Sequence, residues 1–329
     1  MRDYTLFSRC EMSHEKISGN SWDVFVSAYN SSPRVSALWQ AVNSSKRIWA
    51  VHREYGYASA EMPTGGDVVT SVGMSDEAEF VMSILDVVKS ACKGDIAQST
   101  IAFDITGFMR AELMFLVRAL KDSGAANVDF FYSEPSRYSH KGWTQFSDGD
   151  VLDVRQVIGC EGLHDVEASN DLLVIGTGYD DALMASVAEH KPHSRKALVL
   201  GLPSLLPDMY QENVWRVSQA AESIGFGFSS APSEHYAPAN DPFVTATVVS
   251  ELVCSAKSRD GVKNVYLSPL GTKAQVLGFA IYFATECAGS NGSTSAILPV
   301  VKGYARGTSE GVGRVWKYSV PFGALGTKW

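Results

Sequence analysis

The sequence lacks the features that would mark a secreted, disulfide-bonded or metal-stapled protein. Its five cysteines are odd in number and widely separated, and no Cys-x-x-Cys pair or zinc-type Cys and His spacing is present. The first residues lack the basic and apolar segments of a signal peptide, and the longest apolar runs are too short to span a bilayer. We therefore expect a cytoplasmic protein with free thiols, no membrane segment, no bound metal and no cofactor.

An excess of basic residues is also missing. The chain has 36 acidic against 28 basic residues, a formal net charge of -8. Sequence-independent binding of nucleic acid needs a clustered basic surface, so we exclude that function class. A local basic pocket for a small anionic ligand stays compatible with this balance. The length of 329 residues predicts about two domains.

Apolar runs typical of buried strands alternate with helical segments along the whole chain. We predict central parallel strands at residues 23–28, 100–104, 171–176 and 262–267, and a final antiparallel edge strand at 312–320. The pattern restarts near residue 150. The fold class is therefore α/β with two Rossmann-like, parallel-sheet halves, 1–148 and 149–329, joined through residues 139–150. Internal duplication and two unrelated Rossmann units both stay open, because the halves share few identities.

The sharpest candidate for a ligand site is Ser268-Pro269-Leu270-Gly271-Thr272-Lys273, which we call the Lys273 turn. It joins a predicted strand to an apolar helix. A glycine there lets backbone N–H groups approach a phosphate, the helix N-terminus adds partial positive charge, and the last two residues supply a hydroxyl and a cation. We predict that Ser268, Gly271, Thr272 and Lys273 bind the ligand. The spacing is not that of a Walker A loop, and an ordinary turn with a solvated lysine is the alternative.

This segment resembles CARF domains, the Rossmann-like sensors of cyclic oligoadenylates in CRISPR-associated effectors. Gly271, Thr272 and Lys273 match the Gly-Thr-Lys turn that follows a late strand in that family, whereas Pro269 and Leu270 replace the first two residues of the Thr-Gly-Gly-Thr-Lys turn of its closest branch. About twenty residues carry the likeness. It implies a CARF-like second half, a nucleotide ligand and a role in antiviral defence. No effector region follows on this chain, so we expect a partner protein or a homodimer mate.

Further candidates lie where other predicted strands end, because ligands of open α/β sheets bind beyond the carboxyl ends of the strands. Ligand-binding candidates there are Thr177, Gly178, Thr106 and Arg110. Arg306 joins them if its glycine-rich segment, 303–314, closes over the Lys273 turn.

Two carboxylates are the catalytic candidates. Asp104 and Glu134 follow neighbouring predicted strands and are able to transfer protons or orient a ribose. In the alternative interpretation, Asp104 caps the following helix and pairs with Arg110.

Three functions follow from these residues. The first is a nucleotide-binding sensor or regulatory subunit, which the Lys273 turn favours. The second is a hydrolase acting on a nucleotide or an NAD-like substrate. Residues 23–29 also resemble the first strand of a TIR domain, a fold whose enzymatic members cleave NAD, but no matching helical glutamate is found. The third is a structural subunit with vestigial pockets.

Overall fold

The computed structural model describes two compact α/β units. Contacts divide the chain into Thr5–Thr144 with Gly303–Trp329, the first unit, and Met1–Tyr4 with Gln145–Lys302, the second unit. The segment in which we predicted the boundary, 139–150, lies outside the described residues. The structure describes residues 4, 7–138, 151–166, 170–225, 231–287, 292–306 and 309–326.

The described strands form two large sheets and one small pair. In chain order they are β1 (Ser8–Glu11), β2 (Ser21–Ala28), β3 (Asn43–Val51), β4 (Asp67–Thr70), β5 (Ile101–Asp104), β6 (Val128–Ser133), β7 (Arg137–Tyr138), β8 (Val151–Gln156), β9 (Asp171–Gly176), β10 (Arg195–Gly201), β11 (Ser233–Ala237), β12 (Asn264–Pro269), β13 (Thr294–Val301), β14 (Ser309–Glu310) and β15 (Val315–Val320). The first sheet has the order β1-β15-β6-β5-β2-β3-β4, the second has the order β11-β10-β9-β12-β13-β8, and β14 pairs with β7.

Helices connect most consecutive parallel strands, as expected for buried parallel sheets. They are α1 (His14–Ser18), α2 (Pro33–Ala41), α3 (Glu77–Ala91), α4 (Arg110–Asp122), α5 (Asp181–His190), α6 (Met209–Gln219), α7 (Ala221–Ile224), α8 (Pro242–Asp260) and α9 (Lys273–Tyr282). Among the described residues, no helix has the length and apolar character that crossing a membrane requires.

Both sheets confirm the predicted fold class. In the first sheet, β2, β3, β4, β5 and β6 pair in parallel in the order third, second, first, fourth, fifth. In the second sheet, β9 to β13 repeat that order, again in parallel. This is the doubly wound Rossmann arrangement. The four strands that we predicted to be central and parallel are β2, β5, β9 and β12, and all four are.

An antiparallel strand pairs with the fifth parallel strand of each sheet. β8 directly precedes the second set of five strands in the chain and pairs with β13, the fifth strand of that set. β15 follows the second five and pairs with β6, the fifth strand of the first sheet. Residues 303–329 are therefore in the first unit, whereas the sequence analysis had placed them in the second half. Pairing between strands so far apart in the chain leaves no local sequence pattern from which it could be predicted.

The final strand differs from its prediction in a second respect. β15 is antiparallel, as expected, but it is not an edge strand because β1 pairs along its other side. The sequence analysis missed β1, since all four of its residues are exposed and none contributes an apolar run. The same explanation covers β4 and β11, the third strands of the two parallel sets. They lie at sheet edges, and at least half of the residues in each are exposed.

The apolar helix after the Lys273 turn is buried on all sides, which explains why no polar stripe interrupts its sequence. It packs closely against α8. A Cβ atom on Gly278 would lie 2.4 Å from the carbonyl oxygen of Pro242, so only glycine allows this approach. After Tyr282 the helix continues as a π-helical turn, Phe283–Cys287.

A substitution in β15 tests its place in the first sheet. Tyr318 is fully buried, so Tyr318→Ala should destabilise the first unit by about 3–5 kcal/mol through the cavity it leaves. Hydrogen exchange should accelerate in peptides from β5 and β6 and stay unchanged in those from β9 and β12. Lys317→Ala is the control on the same strand; it removes a partly exposed ion pair with Asp129, worth less than about 1 kcal/mol. Faster exchange confined to β9 and β12 would contradict the strand assignment.

Candidate functional site

The candidate site of the second unit lies where the strand connections diverge. From β9 the chain continues to β10, which pairs with one side of β9, whereas β12 pairs with the other side. The boundary between β9 and β12 is therefore the topological switch point of the sheet. Two segments meet there: the loop of residues 177–180 after β9, and the Lys273 turn after β12. The backbone N–H of Leu270 donates to the carbonyl oxygen of Gly176 at 2.8 Å, so the two strand ends stay paired up to the turn.

Glycines allow these two segments to touch. A Cβ atom on Gly178 would lie 2.1 Å from the carbonyl oxygen of Leu270, and one on Gly271 would lie 2.4 Å from Gln275 Oε1 and 3.1 Å from the carbonyl oxygen of Thr177. The distance for Gly178 is to a backbone atom and is not tolerated by a real side chain, so packing alone requires that glycine. A Cβ atom on Gly271 would instead displace the Gln275 side chain from its capping position. The glycine of the Gly-Thr-Lys turn thus has a structural role whatever binds beside it.

Thr272 caps the helix that follows the turn. Its hydroxyl oxygen accepts from the backbone N–H of Gln275 at 3.2 Å, and its hydroxyl proton is donated to the carbonyl oxygen of Ala239. Gln275 Oε1 completes a capping box by accepting from the backbone N–H of Thr272 at 3.3 Å. The hydroxyl that we expected to face a ligand therefore stabilises the turn, while Lys273, the first residue of α9, is half-buried.

Two buried polar atoms at this turn have no hydrogen-bond partner. Gln275 is 1% exposed and its Nε2 makes no hydrogen bond, and Ser268 Oγ, also fully buried, makes none either. The amide group of Gln275 lies beside Gly271 and near the carboxyl end of β10, 3.7 Å from where a Cβ atom of Gly201 would stand. We predicted a role for Ser268 but missed Gln275. Its signal was the single amide in an otherwise apolar helix.

The 177–180 loop is held by α6. The Thr177 hydroxyl donates to Asn213 Oδ1 at 2.7 Å, and Asn213 Nδ2 donates to the carbonyl oxygen of Gly178 at 2.8 Å. Tyr179 adds a hydrogen bond from its hydroxyl to the carbonyl oxygen of Met209 at 2.9 Å. The loop that we predicted from Thr177 and Gly178 is therefore preorganised, and the sequence analysis missed the asparagine that holds it.

Asp104 forms the centre of the candidate site in the first unit. It is fully buried at the end of β5. Its carboxylate accepts from the Ser27 hydroxyl at 2.9 Å and from the backbone N–H of Thr106 at 3.0 Å. Burial raises the pKa of Asp104 to about 6, against these hydrogen bonds, which lower it. Asp104 does not cap α4, because Met109 is the cap residue and makes no side-chain cap bond.

The other candidates of the first unit are engaged in its structure. Thr106 Oγ1 accepts from the backbone N–H of Ser133 at 3.1 Å. Glu134 accepts from Arg314 Nε at 2.9 Å and from Trp316 Nε1 at 2.7 Å. These bonds connect the end of β6 to β15, so the Glu134 carboxylate is occupied by its own unit. Arg110 is the first, half-buried residue of α4.

Arg306 lies in the first unit, whereas the Lys273 turn lies in the second. Its Nε donates to the carbonyl oxygen of Tyr55 at 2.6 Å, its Nη1 pairs with Glu61 at 2.9 Å, and its guanidinium lies 4.3 Å from the centre of the Tyr57 ring. These contacts hold residues 55–61. They give Arg306 a role that the sequence analysis did not anticipate.

Comparisons with known proteins give weak likenesses only. No protein-family model matches the chain, and no curated protein does. A structure of the Acinetobacter baumannii Cap4 SAVED/CARF-domain containing receptor, with the cyclic trinucleotide 3'3'3'-cAAA, is similar over 79% of this chain at 8% identity, with a TM-score of 0.32. The match spans about half, 51%, of the Cap4 chain.

A second structure, of adenylation, ketoreductase and pseudo Asub domains from a keto acid-selecting NRPS module, covers 88% of this chain and 34% of its own. Its identity is 10% and its TM-score is 0.21. At TM-scores this low, neither likeness bears on the function of this chain.

The raised pKa of Asp104 predicts a pH-dependent stability. The folded-state pKa, about 6, exceeds the ordinary value of 3.8, so the stability from protonated Asp104 is complete below pH 3.8 and lost as the pH rises through about 6. The Asp104→Asn variant has no carboxyl group to ionise, so its stability does not fall in this way as the pH rises. Its free energy of unfolding, relative to that of the parent, should rise by up to about 3 kcal/mol between pH 4 and pH 8 in urea titrations.

Asp23→Asn is the control with the opposite sign. Hydrogen bonds from Thr100 lower the pKa of the Asp23 carboxyl, so its stabilising effect is present above its ordinary pKa and lost on acidification. The stability of Asp23→Asn relative to the parent should fall as the pH rises. A pH-independent difference for Asp104→Asn would show that the carboxylate is ionised in the folded protein throughout this range.

Proposed function

We propose that this protein is a nucleotide-binding sensor or regulatory subunit, which binds a small anionic nucleotide at the carboxyl edge of the second sheet and signals to a partner protein or a second copy. The site lies between the 177–180 loop and the Lys273 turn. The observation that carries the proposal is the Nε2 group of Gln275, a buried donor without a partner at the start of α9.

An unpartnered buried donor costs about 1–3 kcal/mol of stability. A phosphate or base oxygen beside Gly271 would accept from Gln275 Nε2 and remove that cost. The amino end of α9 contributes partial positive charge to the same place, and Lys273 adds a cation on the first turn. These groups favour an anion.

The chemistry of the edge supports binding over turnover. Among residues 177–180, 201–204 and 268–275, all of which the structure describes, Asp180 supplies the only carboxylate. Its Oδ1 accepts from the backbone N–H of Leu183 as the cap of α5. The one carboxylate of these segments is thus engaged as a helix cap, whereas donors to an anion are present. The likeness of Gly271-Thr272-Lys273 to the CARF turn suggests a role in prokaryotic antiviral defence.

The second candidate function is a hydrolase acting on a nucleotide or an NAD-like substrate. The observation that favours it is Asp104, whose pKa of about 6 suits proton transfer near neutral pH and whose carboxylate contacts the Ser27 hydroxyl. This site would need to open, because both side chains are fully buried.

Ligand recovery separates the two functions. We expect the protein to retain a nucleotide from a panel of ATP, NAD and cyclic oligoadenylates, and to release it chemically unchanged on heating. Chromatography after prolonged incubation measures how much nucleotide the protein retains and whether that nucleotide is chemically unchanged. The Asp104→Asn variant is the control, since it should leave this result unaltered. Consumption of a nucleotide by the parent, and its loss in Asp104→Asn, would instead favour the hydrolase.

Substitutions at the Lys273 turn test where the nucleotide binds. Lys273→Ala should weaken binding of the panel's tightest nucleotide by roughly 1.5–3 kcal/mol, as expected for a hydrogen bond to a charged group. Unfolding without ligand should barely change, because a cation at a helix N-terminus is not stabilised by the helix dipole. Gln275→Met should weaken binding as well.

Lys263→Ala is the matched control for charge, because Lys263 directly precedes β12 at the opposite end of the strand from the turn and is exposed. Calorimetric titration of each variant measures the effect. Equal affinities of the parent and Lys273→Ala for the nucleotide would remove this turn from the binding site.

A further inference from the structure

One histidine and two glutamates converge in the first unit, away from the Lys273 turn. His52 follows β3, Glu54 lies in the short 3₁₀ turn Arg53–Tyr55, and Glu112 lies in the first turn of α4. One ligand atom from each residue lies within 4.8 Å of the others. The three residues are brought together by the order of the sheet, which places β3 and β5 on either side of β2.

His52 is buried without hydrogen bonds. It is 0% exposed, and neither Nδ1 nor Nε2 has a hydrogen-bond partner. Apolar rings pack against it in T-shaped geometry, with Phe80 at 5.1 Å and Phe108 at 5.5 Å between ring centres. A neutral imidazole has one donor and one acceptor to satisfy, so leaving both unused in this setting is costly. The arrangement points to a group that the imidazole binds.

Carboxylate oxygens face the same space. His52 Nδ1 lies 3.5 Å from Glu112 Oε1, outside hydrogen-bond geometry, and Glu54 Oε2 is buried without a partner. The other oxygen of Glu54 contacts Arg53 Nε at 3.3 Å. The amino end of α4 accounts for a glutamate at position 112. It does not account for the second carboxylate or for the unsatisfied imidazole.

We propose that His52, Glu54 and Glu112 bind one divalent transition-metal ion, with Zn²⁺ as the best match. Imidazole nitrogen and carboxylate oxygen are its ordinary ligands at about 2.0–2.2 Å, which places ligand atoms about 3.4 Å apart in a tetrahedral site. Small side-chain rotations close the remaining distance. Two carboxylates balance the dication, and the imidazole distinguishes this site from the all-oxygen sites of Ca²⁺ and Mg²⁺. The fourth position is filled by water or an anionic oxygen.

Zn²⁺ titration of the chelator-treated, full-length protein tests the site. Calorimetry should show one Zn²⁺ bound per chain, and the thermal midpoint should rise on Zn²⁺ addition. Glu54→Gln and Glu112→Gln should each weaken Zn²⁺ binding at least tenfold, and His52→Asn should abolish both the binding and the thermal shift. His235→Asn, at a half-buried histidine on β11 of the other unit, is the control and should bind as the parent does.

Three results would overturn the proposal. The first is a parent protein that binds no Zn²⁺. The second is Zn²⁺ binding that is undiminished in Glu54→Gln, the variant least able to disturb folding because its side chain is partly exposed. The third is an imidazole NMR signal of His52 that does not change when Zn²⁺ is added. Circular dichroism of each variant verifies that it is folded.

Discussion

The return of β15 to the first sheet, after the whole second set of strands, is the constraint on which much of the first unit depends. β15 lies between β6 and β1, so the edge strand β1 exists only because the end of the described chain pairs with the first sheet. Side-chain hydrogen bonds from Arg314 and Trp316 to Glu134 also connect β15 to the end of β6. β8 pairs in the same antiparallel manner with the fifth strand of the second sheet, but it comes from the segment just before that sheet's own first strand. The first sheet alone therefore needs a strand that the chain delivers after the whole of the other five-strand set.

The carboxyl edges of the two sheets have the same topology but different chemistry. The second sheet presents two glycines, a capped helix N-terminus and the unpartnered amide of Gln275, a set suited to receiving an anion. The first sheet presents a buried carboxylate, Asp104, with a raised pKa. If the halves arose by duplication, a question that their shared strand order leaves open, the polar residues at their edges have diverged.

Much of the fold follows from local pattern. Strands such as β2 and β9 are apolar on both faces, and that composition arises only where helices cover both sides of a sheet. The same reasoning does not predict β4 and β11, because strands at sheet edges are partly exposed and do not require apolar residues on both faces. The Lys273 turn was predictable for a related reason, since a glycine between a buried strand and an apolar helix is a local signal. Asn213 and Gln275 were not, because their importance depends on which backbone groups lie nearby.

The sequence by itself determined the fold class, the central strands and the strand-to-helix turn at residues 268–273, because each depends on residues adjacent in the chain. Only the tertiary structure decided which unit holds β15 and Arg306, what Thr272 and Thr177 bond to, and that His52, Glu54 and Glu112 share one space. Those features depend on strand order and on the satisfaction of buried polar groups, and both are properties of contacts between distant residues.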